Sequence, residues 1–169
     1  MAFPLSVNFN KRLKATITSD EVPGILQYIA KSIAEDKADN IVIEDMHVTY
    51  KGSTSMWRGS LFGTVDDGIF NLIYKDNGWW LNYKINMRKL FMGTAILSSI
   101  LSVFALVTDG LWWVGIAAFL WLYGGNWIIN PIRHETVAAD IAAGIDELIC
   151  GKTELPENDK MTGKLKSWF

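Results

Sequence analysis

Residues 90–132 form a run of 43 with a single charge, Asp109. A chain of 169 residues has no core large enough to bury such a run in water. The sequence therefore reads as a membrane protein with a soluble part. The flanks differ sharply, since residues 1–89 hold 11 Lys/Arg and 10 Asp/Glu, and residues 133–169 hold 5 and 7.

The uncharged run divides into two segments, 90–107 and 111–129, separated by Thr108, Asp109 and Gly110. Each is about long enough to cross a hydrocarbon core roughly 30 Å thick as a helix. A Gly beside two polar residues suits a tight turn, so a transmembrane helical hairpin is expected over 89–131. Lys84, Arg88 and Lys89 precede it and Arg133 and His134 follow it, while the turn has no basic residue. Positive charge marks the cytoplasmic side. The expected location is the inner (cell) membrane, two-pass, with both termini cytoplasmic. Trp112 and Trp113 are expected at the outer interface, and Tyr123 and Trp127 near the inner one. The opening MAFPLSVNFNKRLK lacks a signal-peptide pattern, so the amino-terminal domain is expected not to be exported.

Thr94, Ser98 and Ser102 recur every four residues, and Gly115 and Ala118 give the second segment a small patch. Small-xxx-small spacing lets helix backbones approach closely. These residues are read either as the hairpin's own packing or as a homo-oligomer interface.

Residues 1–88 read as a cytoplasmic α+β domain of order β-α-β-β-β-β: a small antiparallel sheet with one covering helix. Apolar residues alternate through Leu5, Val7 and Phe9, and again through Leu13, Ala15 and Ile17. Thr18 and Glu21 have capping-box spacing, and Val22, Ile25, Leu26, Ile29, Ala30 and Ile33 follow at helical intervals. Residues 41–51 read as one strand with a bulge at Glu44-Asp45, where the alternation changes phase. Trp57, Leu61 and Val65 suggest a further strand. Asp66-Asp67-Gly68 and Asp76-Asn77-Gly78 look like turns before two more, because these residue types tolerate positive φ. Residues 132–150 read as a cytoplasmic amphipathic helix with a stripe of Val137, Ile141, Ile145 and Leu148. It should pack on the amino-terminal domain or on a second copy, with Ile141 and Ile145 at the interface. Residues 151–169 read as a polar tail.

Motifs for chemistry are few. A net charge of −2 argues against direct nucleic-acid binding, and the lone Cys150 excludes a disulfide framework. No zinc, P-loop or dinucleotide fingerprint occurs, so no enzyme activity, metal or cofactor is expected. Glu44, Asp45 and His47 are neighbours but read as a solvated strand edge. Gly59 and Gly63 read as points of sheet curvature. Lys11, Arg12, Lys14 and Arg58 are the candidate residues for an anionic small-molecule ligand.

The layout, a small cytoplasmic domain joined without a linker to a two-helix hairpin, is similar to that of bacterial membrane effectors of antiphage systems. In those, a ligand-sensing domain drives membrane disruption. The similarity is one of architecture and implies no residue roles. The alternative is a non-catalytic accessory subunit of a larger membrane complex.

Overall fold

The computed structural model describes residues 5–52, 61–108, 111 and 113–151. The chain is α+β, with a five-stranded antiparallel sheet and helices. Its elements are β1 (Ser6–Arg12), α1 (Val22–Glu35), β2 (Asp39–Glu44), β3 (His47–Lys51), β4 (Asp67–Lys75), β5 (Gly78–Asn86), α2 (Arg88–Val107), α3 (Val114–Phe119) and α4 (Gly125–Cys150). A 3₁₀ turn spans Leu61–Thr64, and a π turn, Leu120–Gly124, joins α3 to α4. The sheet order is β1-β5-β4-β3-β2.

The alternation read from the sequence places the core. Leu81, Tyr83, Ile85 and Met87 are buried on one side of β5 and its extension, opposite Phe70 and Leu72 of β4. Asp76 and Asn77 form the two-residue β4–β5 turn at φ 53° and 55°, the mirror-image geometry that matches strand twist. The α1 helix buries Val22, Ile25, Leu26, Ile29 and Ile33 against this face. Each such side chain contributes roughly 1.5–3 kcal/mol by leaving water. Glu21 starts the helix, its carboxylate accepting the Thr18 N–H at 2.7 Å.

Two strand assignments need correction. Residues 41–51 are not one bulged strand but a hairpin, with Glu44 paired to His47 and Asp45 at φ 36°. Reversing the chain there changes the phase of the alternation just as a bulge would. Leu61–Thr64, expected in a strand, forms the 3₁₀ turn and buries Phe62. The sheet also has a second covering helix. Ala138, Ile141, Ala142 and Ile145 of α4 share the core with α1. The carboxylate of Asp146 accepts the backbone N–H of Lys14 at 2.9 Å and of Ala15 at 3.0 Å.

Arg88–Val107 is the one described helix long and apolar enough to cross a membrane by length and composition. The second apolar segment is not a uniform helix. It is divided among α3, the π turn and the first part of α4, which continues past Pro131 into the core under the sheet. Pro131 removes the donor that would bond the Trp127 carbonyl one turn back. Asn126 Nδ2 donates to the Leu122 carbonyl at 2.7 Å within this stretch. The two segments run antiparallel. Gly115 lies against Ser98 and Ser102, and the Phe91 ring meets Phe119 at 5.9 Å and Tyr123 at 5.3 Å.

Candidate functional site

The buried polar groups gather where β3, β5 and α4 meet the 3₁₀ turn. Tyr50 comes from β3, and in register its neighbour on β4 is Gly68. A Cβ on Gly68 would overlap the Tyr50 ring, so glycine there lets the ring lie across β4. The Tyr50 hydroxyl thereby reaches the Tyr83 hydroxyl at 2.5 Å. Tyr83 Oη in turn lies 2.7 Å from His134 Nδ1 on α4. Phe62 from the 3₁₀ turn packs against the Tyr50 ring at 4.8 Å and the imidazole at 5.6 Å.

Burial sets the protonation of this chain. Desolvation raises both phenols above their ordinary value. Desolvation, helped by neighbouring Arg133, lowers His134 to about 4. With the Nε2–H tautomer assigned to the neutral imidazole, Nδ1 accepts, Tyr83 donates to His134 and Tyr50 donates to Tyr83. The remaining ring proton sits on Nε2. That nitrogen is buried with no hydrogen bond of good geometry, although the Leu61 carbonyl lies where it favours protonation. One helical turn earlier, Asn130 Oδ1 accepts the Thr64 hydroxyl at 3.1 Å, while its Nδ2 is buried and unbonded. Tyr50, Tyr83 and His134 are all closed off from solvent. The arrangement pins α4 to the sheet through the Leu61–Thr64 turn.

A second polar clamp holds the start of α2. Only Met87, fully buried, separates β5 from that helix. Asp66 Oδ2 accepts the Lys89 N–H at 2.8 Å, while Asp66 N–H donates to the Asn86 carbonyl at 2.8 Å. Gly52 N–H bonds the Asp66 carbonyl at 2.8 Å. A carboxylate at a helix N-terminus satisfies an otherwise orphaned donor and complements the helix dipole. Asp66 is buried, and its Oδ1 has no partner.

Of the residues singled out for an anionic ligand, Lys11, Arg12 and Lys14 are not brought together. Lys11 points to the covered face and pairs with Glu135 at 3.0 Å. Arg12, its strand neighbour, points to the opposite face beside Gly78. Lys14 lies past the end of β1, with its N–H on Asp146. Arg58 and Gly59 lie outside the described residues, as do residues 109–110, Trp112 and residues 152–169. Gly63 lies in the 3₁₀ turn. His47 Nε2 meets Glu44 Oε2 at 3.1 Å across the β2–β3 turn. Among the described residues no three metal-ligating side chains gather.

The small residues of the hairpin face inward. Ser98 and Gly115 are buried, and Ser102 contacts Gly115 directly. Thr94 is half-buried, with its hydroxyl bonded to the Leu90 carbonyl at 2.8 Å, and Ala118 is half-buried. Of the two placements expected for Ile141 and Ile145, on the amino-terminal domain or between copies, the structure shows the first: both close this chain's own core and so are not free for an oligomer interface. Tyr123 is buried between the two apolar segments, and Trp127 packs against the core under the sheet. Trp121 remains outward, 82 % exposed.

The Tyr50–Tyr83–His134 chain and the Asp66 clamp were missed in the sequence. The usable signal was polar residues on apolar stripes: Tyr83 in phase with Leu81 and Ile85, and His134 in phase with Ala138 and Ile141. No family model matches the sequence, and comparison with curated proteins and with solved structures finds no match.

Proposed function

We propose that this is an integral membrane protein of the inner (cell) membrane. Its cytoplasmic α+β domain recognises a ligand or partner and passes its state to a two-helix, oligomerising transmembrane hairpin. The output in this reading is membrane disruption or pore formation, as in an antiphage effector, with no enzymatic step.

The observation that carries the reading is the double attachment of the hairpin. β5 enters α2 through the single residue Met87 under the Asp66 clamp. The returning segment becomes α4, whose inner face lies in the soluble core. A domain fixed at both ends of a hairpin cannot change shape without moving it, whereas a tethered domain could. The outer surface of the hairpin supports the membrane placement. Ile96, Ile100, Val103, Phe104, Leu120 and Trp121 are each more than half exposed. Such an apolar surface in water is unfavourable by about 25 cal/mol per Å². In lipid that cost vanishes, and Thr94 and Ser99 return their hydroxyls to backbone carbonyls within α2. Arg88, Lys89 and Arg133 at the domain end set the orientation, with both termini cytoplasmic.

The test is reconstitution of the full chain in vesicles, read by native mass measurement and dye release. The reading expects a defined homo-oligomer and leakage. A Gly-Ser-Gly-Ser insertion between Met87 and Arg88 should abolish leakage while leaving the domain folded. Leakage that survives the insertion overturns the coupling. A silent monomer that instead co-purifies with other membrane proteins favours the accessory-subunit reading.

A further inference from the structure

The second apolar segment carries several weak points in succession. The turn Leu120–Gly124 is π, wider than an α-turn by one residue. Just after it, the Asn126 side chain enters the ladder by donating to the Leu122 carbonyl at 2.7 Å. Gly124 and Gly125 lie between, in ordinary helical backbone at φ −62° and −60°. A Cβ on either would meet nothing within 4 Å. Packing therefore does not call for glycine at these two positions, and glycine is the poorest helix former after proline. Pro131 then has no N–H to offer the Trp127 carbonyl one turn back. A π turn, an inserted side chain and a proline are each a recognised cause of helix bending, and all fall between Leu120 and Pro131. By contrast, α2 runs unbroken from Arg88 to Val107, with the Asp66 clamp on its first turn.

We propose that Leu120–Pro131 is a hinge, about which Val114–Phe119 swings away from α2 while α2 and the rest of α4 stay seated on the sheet. The inference rests on the membrane hairpin proposed above and states how it opens.

The closed seam is held lightly. At its domain end Phe91 meets Phe119 at 5.9 Å and Tyr123 at 5.3 Å, and Phe119 stacks on Tyr123 at 5.4 Å. Farther out, Gly115 lies against Ser98 and Ser102. In lipid such a seam has no hydrophobic drive and depends on close packing and hydrogen bonds. Here the packing leaves one polar group unpaired. Ser98 is 5 % exposed and its hydroxyl has no partner, whereas Thr94 and Ser99 return theirs to carbonyls of α2. A buried hydroxyl without a partner disfavours the closed form. Swinging α3 outward uncovers Ser98 and Ser102, and their hydroxyls then line the opening.

The test is double electron–electron resonance on the full chain in vesicles, in a Cys150→Ser background diluted with unlabelled chain. Two label pairs share one reference: Lys84→Cys with Ile116→Cys on α3, and Lys84→Cys with Val103→Cys on α2. All three sites are exposed, and Ile116 and Val103 adjoin Gly115 and Ser102, which touch. Phe91→Ala, which opens the aromatic clasp, should broaden the Ile116 distance distribution and leave the Val103 distribution narrow. Adding Gly124→Ala and Gly125→Ala should narrow it again, lowering the open population by roughly tenfold. Adding Gly93→Ala, the same change in unbroken α2, should not. Unchanged distributions in Phe91→Ala, equal broadening of both pairs, or breadth that survives the alanine pair would each overturn the hinge. Vesicles that do not leak while the distances behave as expected overturn the effector output and leave the hinge standing. A chain that does not enter vesicles overturns the membrane hairpin and the hinge together.

Discussion

Protonating His134 should loosen the grip of α4 on the sheet. The imidazole falls from 6.5 in the unfolded chain to about 4 in the fold, a difference worth roughly 3 kcal/mol. The folded chain therefore binds fewer protons than the unfolded chain between these two values. Stability rises with pH wherever the unfolded state holds more protons. The full contribution is present above about pH 6.5. It declines by about 1.4 kcal/mol per pH unit on the way down and is lost by about pH 4. His134→Gln keeps an acceptor for the Tyr83 hydroxyl but has nothing to titrate. Unfolding of both proteins in mild detergent, followed by near-ultraviolet circular dichroism from about pH 7.5 to about 4.5, isolates the difference. His47 and the carboxylates are common to both and cancel. The unaltered chain should lose about 2–3 kcal/mol more than the variant across that range. Parallel loss in the two proteins would refute a neutral, buried His134.

Gly115→Leu should separate the hairpin, because even a Cβ there would overlap Ser102 Oγ and come 2.7 Å from the Ser98 carbonyl oxygen. A cost of about 1–3 kcal/mol is expected in detergent unfolding, whereas Gly93→Ala, with open space at its Cβ, should be near neutral. Asp66→Ala removes the acceptor for the Lys89 N–H and should cost about 1–2 kcal/mol, with faster amide exchange at Lys89 and Leu90. Asp146→Ala frees the N–H groups of Lys14 and Ala15 and should cost roughly 2–3 kcal/mol, read as faster exchange at both amides. Glu135→Gln breaks only the partly exposed pair with Lys11 and should cost under about 1 kcal/mol by the same unfolding assay.

The parts of the fold governed by local period were legible. The Ile25–Ile29–Ile33 stripe of α1 and the Leu81–Tyr83–Ile85 side of β5 are where the sequence put them. The β4–β5 turn also follows from its chemistry, since Asp76 and Asn77 accept positive φ. What was not legible depended on distance along the chain. A phase change at Glu44-Asp45 looks the same for a bulge and a hairpin. Only pairing with β4 distinguishes them, through Val48 opposite Phe70. The amphipathic stripe at Ile141 and Ile145 called for a cover, and its spacing left open whether that was the chain's own domain, as the structure shows, or a second copy. The Tyr83–His134 contact joins residues 51 apart, and the Asp66 clamp joins residues 23 apart. Neither separation follows any local period. Lys11 and Arg12, two of the proposed ligand cations, are separated for a simpler reason, because adjacent strand residues point to opposite faces.

Sidedness in a sealed membrane tests the central claim most directly: a hairpin that crosses twice and returns α4 to the domain. Cys150 is the lone cysteine and is exposed at the end of α4. Thr108, exposed at the far end of α2, can carry a second probe as Thr108→Cys in a Cys150→Ser background. A membrane-impermeant maleimide applied to intact cells should label the Thr108→Cys variant. The same reagent should spare Cys150 of the unaltered chain until the membrane is opened. Labelling of both positions from the same side would contradict the hairpin and the coupling built on it.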